Sequence, residues 1–380
     1  MKRWLSIVLA AIFMFGWLPV GAKAEEYKAK SAVLIDVETG TVLYEQNAHE
    51  PLPPASVTKV MTMLLIMEAI DQGRIGWQDL VTTSETAAAK GGSQVYLKVG
   101  ECMRVEEMVK SIAVSSANDC ACAMAEHLAG SEAAFVELMN ARAKELGMAD
   151  THFVNCTGLD DDAAAKDHKT SAYDIALMSR QLLKHHPDIK KYTTIWMDTV
   201  RDGAFGLSNT NKLVRFYKGA TGLKTGFTTK AGYCLSASAQ REDLELIAVV
   251  MGCETSADRF AACKGLLDMG FAKYGLIRPA PEGETLVAVK LGTEETVRAV
   301  PAQAGALLIE KGQLNQVNIR TELEEQVTAP VSQGQRLGTL TVTVGEQVLA
   351  QIPMLAERSV PRLSWGQVFL QVLRKLCLAE

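Results

Sequence analysis

Behind Lys2 and Arg3 the chain is apolar almost without a break from Trp4 to Val20, and Ala22-Lys23-Ala24 then forms a small-x-small cleavage site. That order is the pattern of an export signal, here residues 1–24. An uncleaved anchor is the alternative, because the run approaches the roughly 20 residues that span a bilayer. The cleavage site and the acidic Glu25-Glu26 behind it favour removal, so the chain is expected to work outside the cytoplasmic membrane.

The mature chain opens with two short β-prone runs, Ser31–Asp36 and Thr41–Tyr44, joined by Glu38-Thr39-Gly40 as a hairpin. Pro51, Pro53 and Pro54 stiffen the approach to a helix that begins near Ser56. Val60, Met61, Leu64, Leu65 and Met67 make that helix mostly apolar and therefore buried. An Ala-rich helical stretch spans about Val105 to Leu146 with a break at Gly130, and an amphipathic helix follows from a Ser171 cap to Pro187. From Gly222 the pattern turns to strands, with a hairpin of Leu235–Ala239 and Leu244–Met251 around Arg241-Glu242-Asp243. Strands, helices, then strands predict an α/β (α+β) domain whose sheet packs on a helical cluster.

The composition changes at Arg278–Gly283, and beyond it come short alternating runs at Leu286–Val289, Ala306–Ile309, Val317–Ile319 and Leu340–Val344. They predict a small all-β domain that carries no cluster of chemistry and reads as a spacer. The divisions expected are therefore 25–278, 279–358 and a tail of 359–380. In the tail Trp365, Val368, Phe369, Val372, Leu373 and Leu376 fall on one helix face, with Ser364, Gln367, Gln371, Arg374 and Lys375 opposite. Such a helix either lies in a membrane interface or packs on the protein's own β domain.

Composition narrows the picture only a little. The 48% hydrophobic and 22% charged residues are ordinary for a globular protein, and 380 residues suffice for two domains. A net charge of −5 gives no basic field, so nucleic acid is not an expected partner. The eight cysteines allow 105 full pairings. Cys120 and Cys122 point about 200° apart on a helix and with His127 make a poor metal cluster, so mostly buried free thiols are expected.

The chemistry lies in three ordered motifs: Ser56-Val57-Thr58-Lys59, then Ser116-Ala117-Asn118 sixty positions after Ser56, then Lys224-Thr225-Gly226 a further 108 on. Ser56 and Lys59 sit at i and i+3, so their side chains share one helix face. A serine hydroxyl needs a base to become a nucleophile, and a lysine serves only when neutral. Burial in the apolar helix and a neighbouring charge from Lys224 are the expected means. Ser116 and Asn118 offer a hydroxyl and an amide for proton relay and substrate binding, and equally a cap for the helix that follows. Lys224 and Thr225, at the head of a strand, offer a grip for a carboxylate, and Gly226 removes a side chain where a peptide could approach. The six histidines show no triad signature; His152 and His168, which bracket Asn155, read as structural. No cofactor or metal is required by this chemistry.

These motifs resemble those of the low-molecular-mass penicillin-binding proteins that act as serine-type D-alanyl-D-alanine carboxypeptidases. The likeness extends over nearly the whole mature chain, through Gly91-Gly92-Ser93, His152–Asn155 with Gly158-Leu159, Gly222–Thr228 and Ala231–Leu235. It implies a β-lactamase/transpeptidase-like domain in which Ser56 attacks the D-Ala–D-Ala carbonyl of a peptidoglycan stem peptide, with Lys59 as base. It further implies that Ser116 and Asn118 move protons and orient substrate, that Lys224 and Thr225 hold the terminal carboxylate, and that the Ser56 and Phe227 N–H groups form the oxyanion hole. β-Lactams would acylate Ser56, and the terminal helix would tether the enzyme to the membrane surface. Cys156-Thr157 stand where the family commonly has Pro-His, and Asp160-Asp161-Asp162 is unusually acidic, which leaves substrate preference open. A β-lactamase is disfavoured by the lack of a Glu-x-x-x-Asn element between Asn118 and Lys224; a non-catalytic wall-binding module is disfavoured by the intact triplet.

Overall fold

The computed structural model describes residues 26–160, 163–302 and 305–377. The expected export signal and Asp161-Asp162 lie outside them. The centre of the molecule is a five-stranded antiparallel sheet in the spatial order Val42–Gln46, Ser31–Asp36, Leu244–Cys253, Gly232–Arg241, Ala220–Thr228. Side chains alternate across a strand, so one strand feeds two cores. Val33, Ile35, Ile247, Val249 and Met251 point into a large helical core built by Lys59–Asp71 and Ala172–His185 with the helices between them. Ala32, Leu34, Leu246, Ala248 and Val250 point the other way, onto Ala262, Cys263, Leu266 and Leu267 of the Ser256–Lys273 helix. Both faces are covered, which is why the run from Leu246 to Met251 is apolar throughout rather than alternating.

The predicted helices form with two refinements. The stretch expected to break once, at Gly130, is three helices, Val105–Ser115, Asn118–Ala129 and Glu132–Glu145. Ser116 ends the first in the left-handed region (φ 62°), so the second corner falls on the motif itself. The helix expected to begin near Ser56 begins at Lys59, preceded by a 3₁₀ turn at Ala55–Thr58. Ser171 caps the Ala172–His185 helix as expected, accepting from the Asp174 N–H.

Beyond Ile277 a six-stranded sheet runs in the order Val317–Leu323, Arg336–Val344, Gln347–Ala356, Thr296–Pro301, Leu286–Lys290, Gln326–Thr328, around a core that includes Val297, Leu337, Leu340 and Met354. A separate ribbon pairs Tyr274–Ile277 with Leu307–Glu310. The tail is helical from Trp365 to Cys377, and its apolar residues face outward: Trp365 is 91% exposed and Phe369 65%. Of the seven cysteines whose surroundings are described, all are free thiols and only Cys102 is exposed.

Candidate active site

A 3₁₀ turn stacks residues i and i+3 directly over one another, and this places Lys59 on Ser56. Lys59 Nζ donates to Ser56 Oγ (2.9 Å) and to the Thr157 carbonyl (3.0 Å). The lysine is fully buried whereas Ser56 remains half-buried, so the amine lies behind the hydroxyl. Burial lowers the Lys59 pKa to about 7, against smaller opposing effects of Cys156 and Asp119. The Lys224 charge, expected to assist, is not among the causes; Lys59 instead acts on Lys224.

The turn is held from two sides. Ala55 adopts a left-handed φ of 47°, and its carbonyl abuts Gly158, where an added Cβ would lie 1.8 Å from the oxygen. On the other side a Cβ on Gly226 would come 2.7 Å from Pro54 O and 3.1 Å from both Ser56 N and Val57 N. The missing side chain at Gly226 thus makes room for the Ala55–Thr58 turn itself.

Ser116 and Asn118 occupy the corner between two helices and are both buried. The Asn118 amide donates to Gly91 O (2.7 Å) and its backbone N–H to Ser93 O (2.7 Å). Asp119 accepts from Val95 and Leu97 N–H, pinning the rest of that loop. Asn118 Oδ1 is buried and has no hydrogen-bond partner in the protein, an acceptor available to a ligand.

Lys224 does not head its strand, as the sequence suggested; it lies in the middle of Ala220–Thr228, the edge of the central sheet. It is buried, donates to Thr225 O (2.9 Å), and its amine is pushed well below its usual range by burial and by the charges of Lys59 and Arg259. Thr225 Oγ1 shares a 2.6 Å hydrogen bond with Thr210 Oγ1. Phe227 stands 52% exposed at the rim, stacked on Tyr233 at 4.2 Å.

Several participants escaped the sequence reading. Arg259, from the helix behind the sheet, donates to Gly226 O (3.0 Å) between the rings of Tyr233 and Phe260. Thr157 contributes a main-chain carbonyl, which no side-chain pattern can reveal. Thr210 was detectable only as one polar residue in Asn209-Thr210-Asn211. The unusual Cys156 and Thr157 side chains are buried: Cys156 bonds Glu132 Oε1 through both N–H and Sγ (3.2 Å each), and Thr157 closes on Asn155 Oδ1. They shape the loop rather than line an open pocket. Among the described residues no group of three or more His, Cys, Asp or Glu could hold a metal.

A half-exposed serine on a buried amine, beside an edge strand carrying a lysine, is an arrangement able to support serine acyl transfer. Residues 19–255 match the D-alanyl-D-alanine carboxypeptidase family, and residues 274–362 match the C-terminal domain of penicillin-binding protein 5. D-alanyl-D-alanine carboxypeptidase DacF of Bacillus subtilis is 43% identical over 376 residues, covering 95% of each chain. The crystal structure of penicillin-binding protein 5 from Haemophilus influenzae superposes with a TM-score of 0.75 at 29% identity, over 90% of this chain and all of that one. Penicillin-binding protein D2 of Listeria monocytogenes, solved in its ampicillin-bound form, gives 0.60 at 33% identity over 66% of this chain and 100% of its own. The chain belongs to the D-alanyl-D-alanine carboxypeptidase family. It is accordingly a serine peptidase with the penicillin-binding-protein fold, an N-terminal catalytic part and a C-terminal all-β part.

Proposed function

We propose that this protein removes the terminal D-alanine of peptidoglycan pentapeptides through an acyl-enzyme on Ser56. The observation that carries this reading is the 2.9 Å contact between Ser56 Oγ and a Lys59 amine whose pKa lies at about 7. Near neutral pH much of that amine is unprotonated, and the same contact then runs in the other sense, Oγ–H to the Nζ lone pair. Ser56 Oγ bonds to the carbonyl carbon of the penultimate D-alanine while its proton passes to Lys59. The backbone N–H groups of Ser56 and Phe227 receive the oxyanion, and a donor of this kind typically contributes about 3–4 kcal/mol. Ser116 returns the proton to the leaving nitrogen as the C–N bond breaks, and D-alanine departs. Water, activated by Lys59, hydrolyses the ester and regenerates Ser56.

Substrate binding follows from charge and edge geometry. A carboxylate reaching Lys224 and Thr225 would restore the Lys224 ammonium by favouring its charged form, which burial and the charges of Lys59 and Arg259 otherwise disfavour. An extended peptide can lie along the edge strand Ala220–Thr228, with Asn118 Oδ1 accepting a substrate amide N–H. β-Lactams, which mimic the D-Ala–D-Ala amide, would stop at the acyl stage. The enzyme acts outside the cytoplasm, and its C-terminal helix would rest in the membrane interface.

Intact-mass measurement after incubation with benzylpenicillin, followed by peptide mapping, tests the assignment. One adduct per chain on Ser56, free D-alanine from a pentapeptide, and loss of both in a folded Ser56→Ala variant are expected. D-alanine release at the normal rate by that variant would overturn the mechanism.

A further inference from the structure

His168, which reads from sequence as structural, is 4% exposed and joins a hydrogen-bond chain that ends at the nucleophile turn. The Val154 N–H donates to its Nδ1 (3.0 Å), so this nitrogen is the acceptor and Nε2 carries the proton. Nε2 stands 2.8 Å from Thr58 Oγ1, and Thr58 in turn donates to the Ala55 carbonyl (2.8 Å). That carbonyl belongs to the same planar peptide unit as the Ser56 N–H, and in a trans peptide the two point in opposite directions. Fixing Ala55 O therefore fixes where the Ser56 N–H aims. The need for such a grip is visible in the backbone: Ala55 is left-handed, a conformation unfavourable for a residue with a Cβ.

We propose that His168 is a positioning residue that, through Thr58 and Ala55 O, aims the Ser56 N–H at the oxyanion formed during acylation. This rests on the assignment of Ser56 as nucleophile and oxyanion donor. The other end of the chain is equally fixed, because Asn140 brackets Phe153 through both its N–H and its carbonyl, and Phe153 packs edge-on to the imidazole. Burial lowers the His168 pKa to about 4, with the charges of His152 and Lys230 adding and Asp160 opposing, so the neutral tautomer persists where Lys59 titrates.

The substitutions separate the two ring nitrogens. His168→Asn supplies an acceptor near Nδ1 and no donor to Thr58; His168→Gln places an amide donor near Nε2. Benzylpenicillin acylation of the mature chain, resolved into affinity for the initial complex and rate of acylation, is the readout alongside melting temperature. His168→Asn is expected to acylate about tenfold to a hundredfold more slowly with affinity little changed, and His168→Gln to recover most of the rate. Thr58→Val should lose a similar factor, and the double variant His168→Asn/Thr58→Val no more than either alone, because the two act in series. Wild-type rates in His168→Asn or in Thr58→Val, or multiplicative losses in the double variant, would overturn the positioning role. Should His168→Asn fail to fold, Thr58→Val and its Thr58→Ser rescue decide the matter. Failure of the wild type to acylate at Ser56 would instead refute the underlying assignment.

Discussion

Lys59 has one strong hydrogen-bond acceptor behind it, the Thr157 carbonyl, and a serine hydroxyl in front. An ammonium so placed is poorly solvated, which is why its pKa falls from 10.5 to about 7. Catalysis needs the neutral amine, so acylation by benzylpenicillin should rise with pH through about 7 and fall roughly tenfold per unit below it. The sign for stability agrees: the folded state binds fewer protons than the unfolded one between these two values, so the cost of burying this amine falls as pH rises across that window. Lys59→Arg, which cannot deprotonate in this range, should abolish acylation at every pH while conserving charge. A rate independent of pH between 5 and 9 in the wild type would exclude Lys59 as the base. The i and i+3 spacing made this pair legible in the sequence. The cause of the pKa was half legible, because burial follows from the apolar helix whereas the opposing effects of Cys156 and Asp119 depend on three-dimensional placement.

At the scale of elements, the sequence was least informative where a strand is interrupted by small and charged residues. Ala220–Thr228 contains two glycines and a lysine, and its sequence placed Lys224 and Thr225 at the head of a strand beginning near Gly222. In the fold it is strand throughout, because the nucleophile turn packs on it and supplies the burial its own side chains do not announce. The alternating runs of the β domain and the apolar run from Leu246 were legible because one period decides them. Contact across elements explains Gly226 too, and it gives a prediction. In Gly226→Ala the methyl meets Pro54 O and the Ser56 and Val57 nitrogens, all backbone atoms that cannot swing aside. The turn must move, so acylation should drop by at least tenfold, with a stability loss of about 1–3 kcal/mol as for other overpacked sites. A melting and acylation series on Gly226→Ala that matched wild type would show that the turn and strand are not in register as described.

For the whole molecule, the question is what meets the tail helix. Its root is fixed: Val360 pairs with Val331, Arg362 with Gly292, and the Leu363 N–H donates to Leu291 O. The helix thus leaves the β domain from a defined point, yet Trp365, Phe369, Leu370 and Val372 are all more than half exposed. Exposed aromatic and aliphatic side chains on one helix call for a partner surface. Among the described residues no helix is long and apolar enough to cross a bilayer; were the tail helix to lie in a membrane interface, each large apolar side chain inserted would contribute about 1.5–3 kcal/mol. Mature protein should therefore sediment with phosphatidylglycerol-containing vesicles, and a chain ending at Arg362 should stay in the supernatant while acylating at the full rate. Trp365→Ser/Phe369→Ser should weaken vesicle binding by tenfold or more, and 0.5 M salt should weaken it less, because apolar insertion rather than charge is the main term. Vesicle binding that survives removal of the helix would move the membrane contact elsewhere on the molecule, and absence of binding by the full mature chain would remove it altogether.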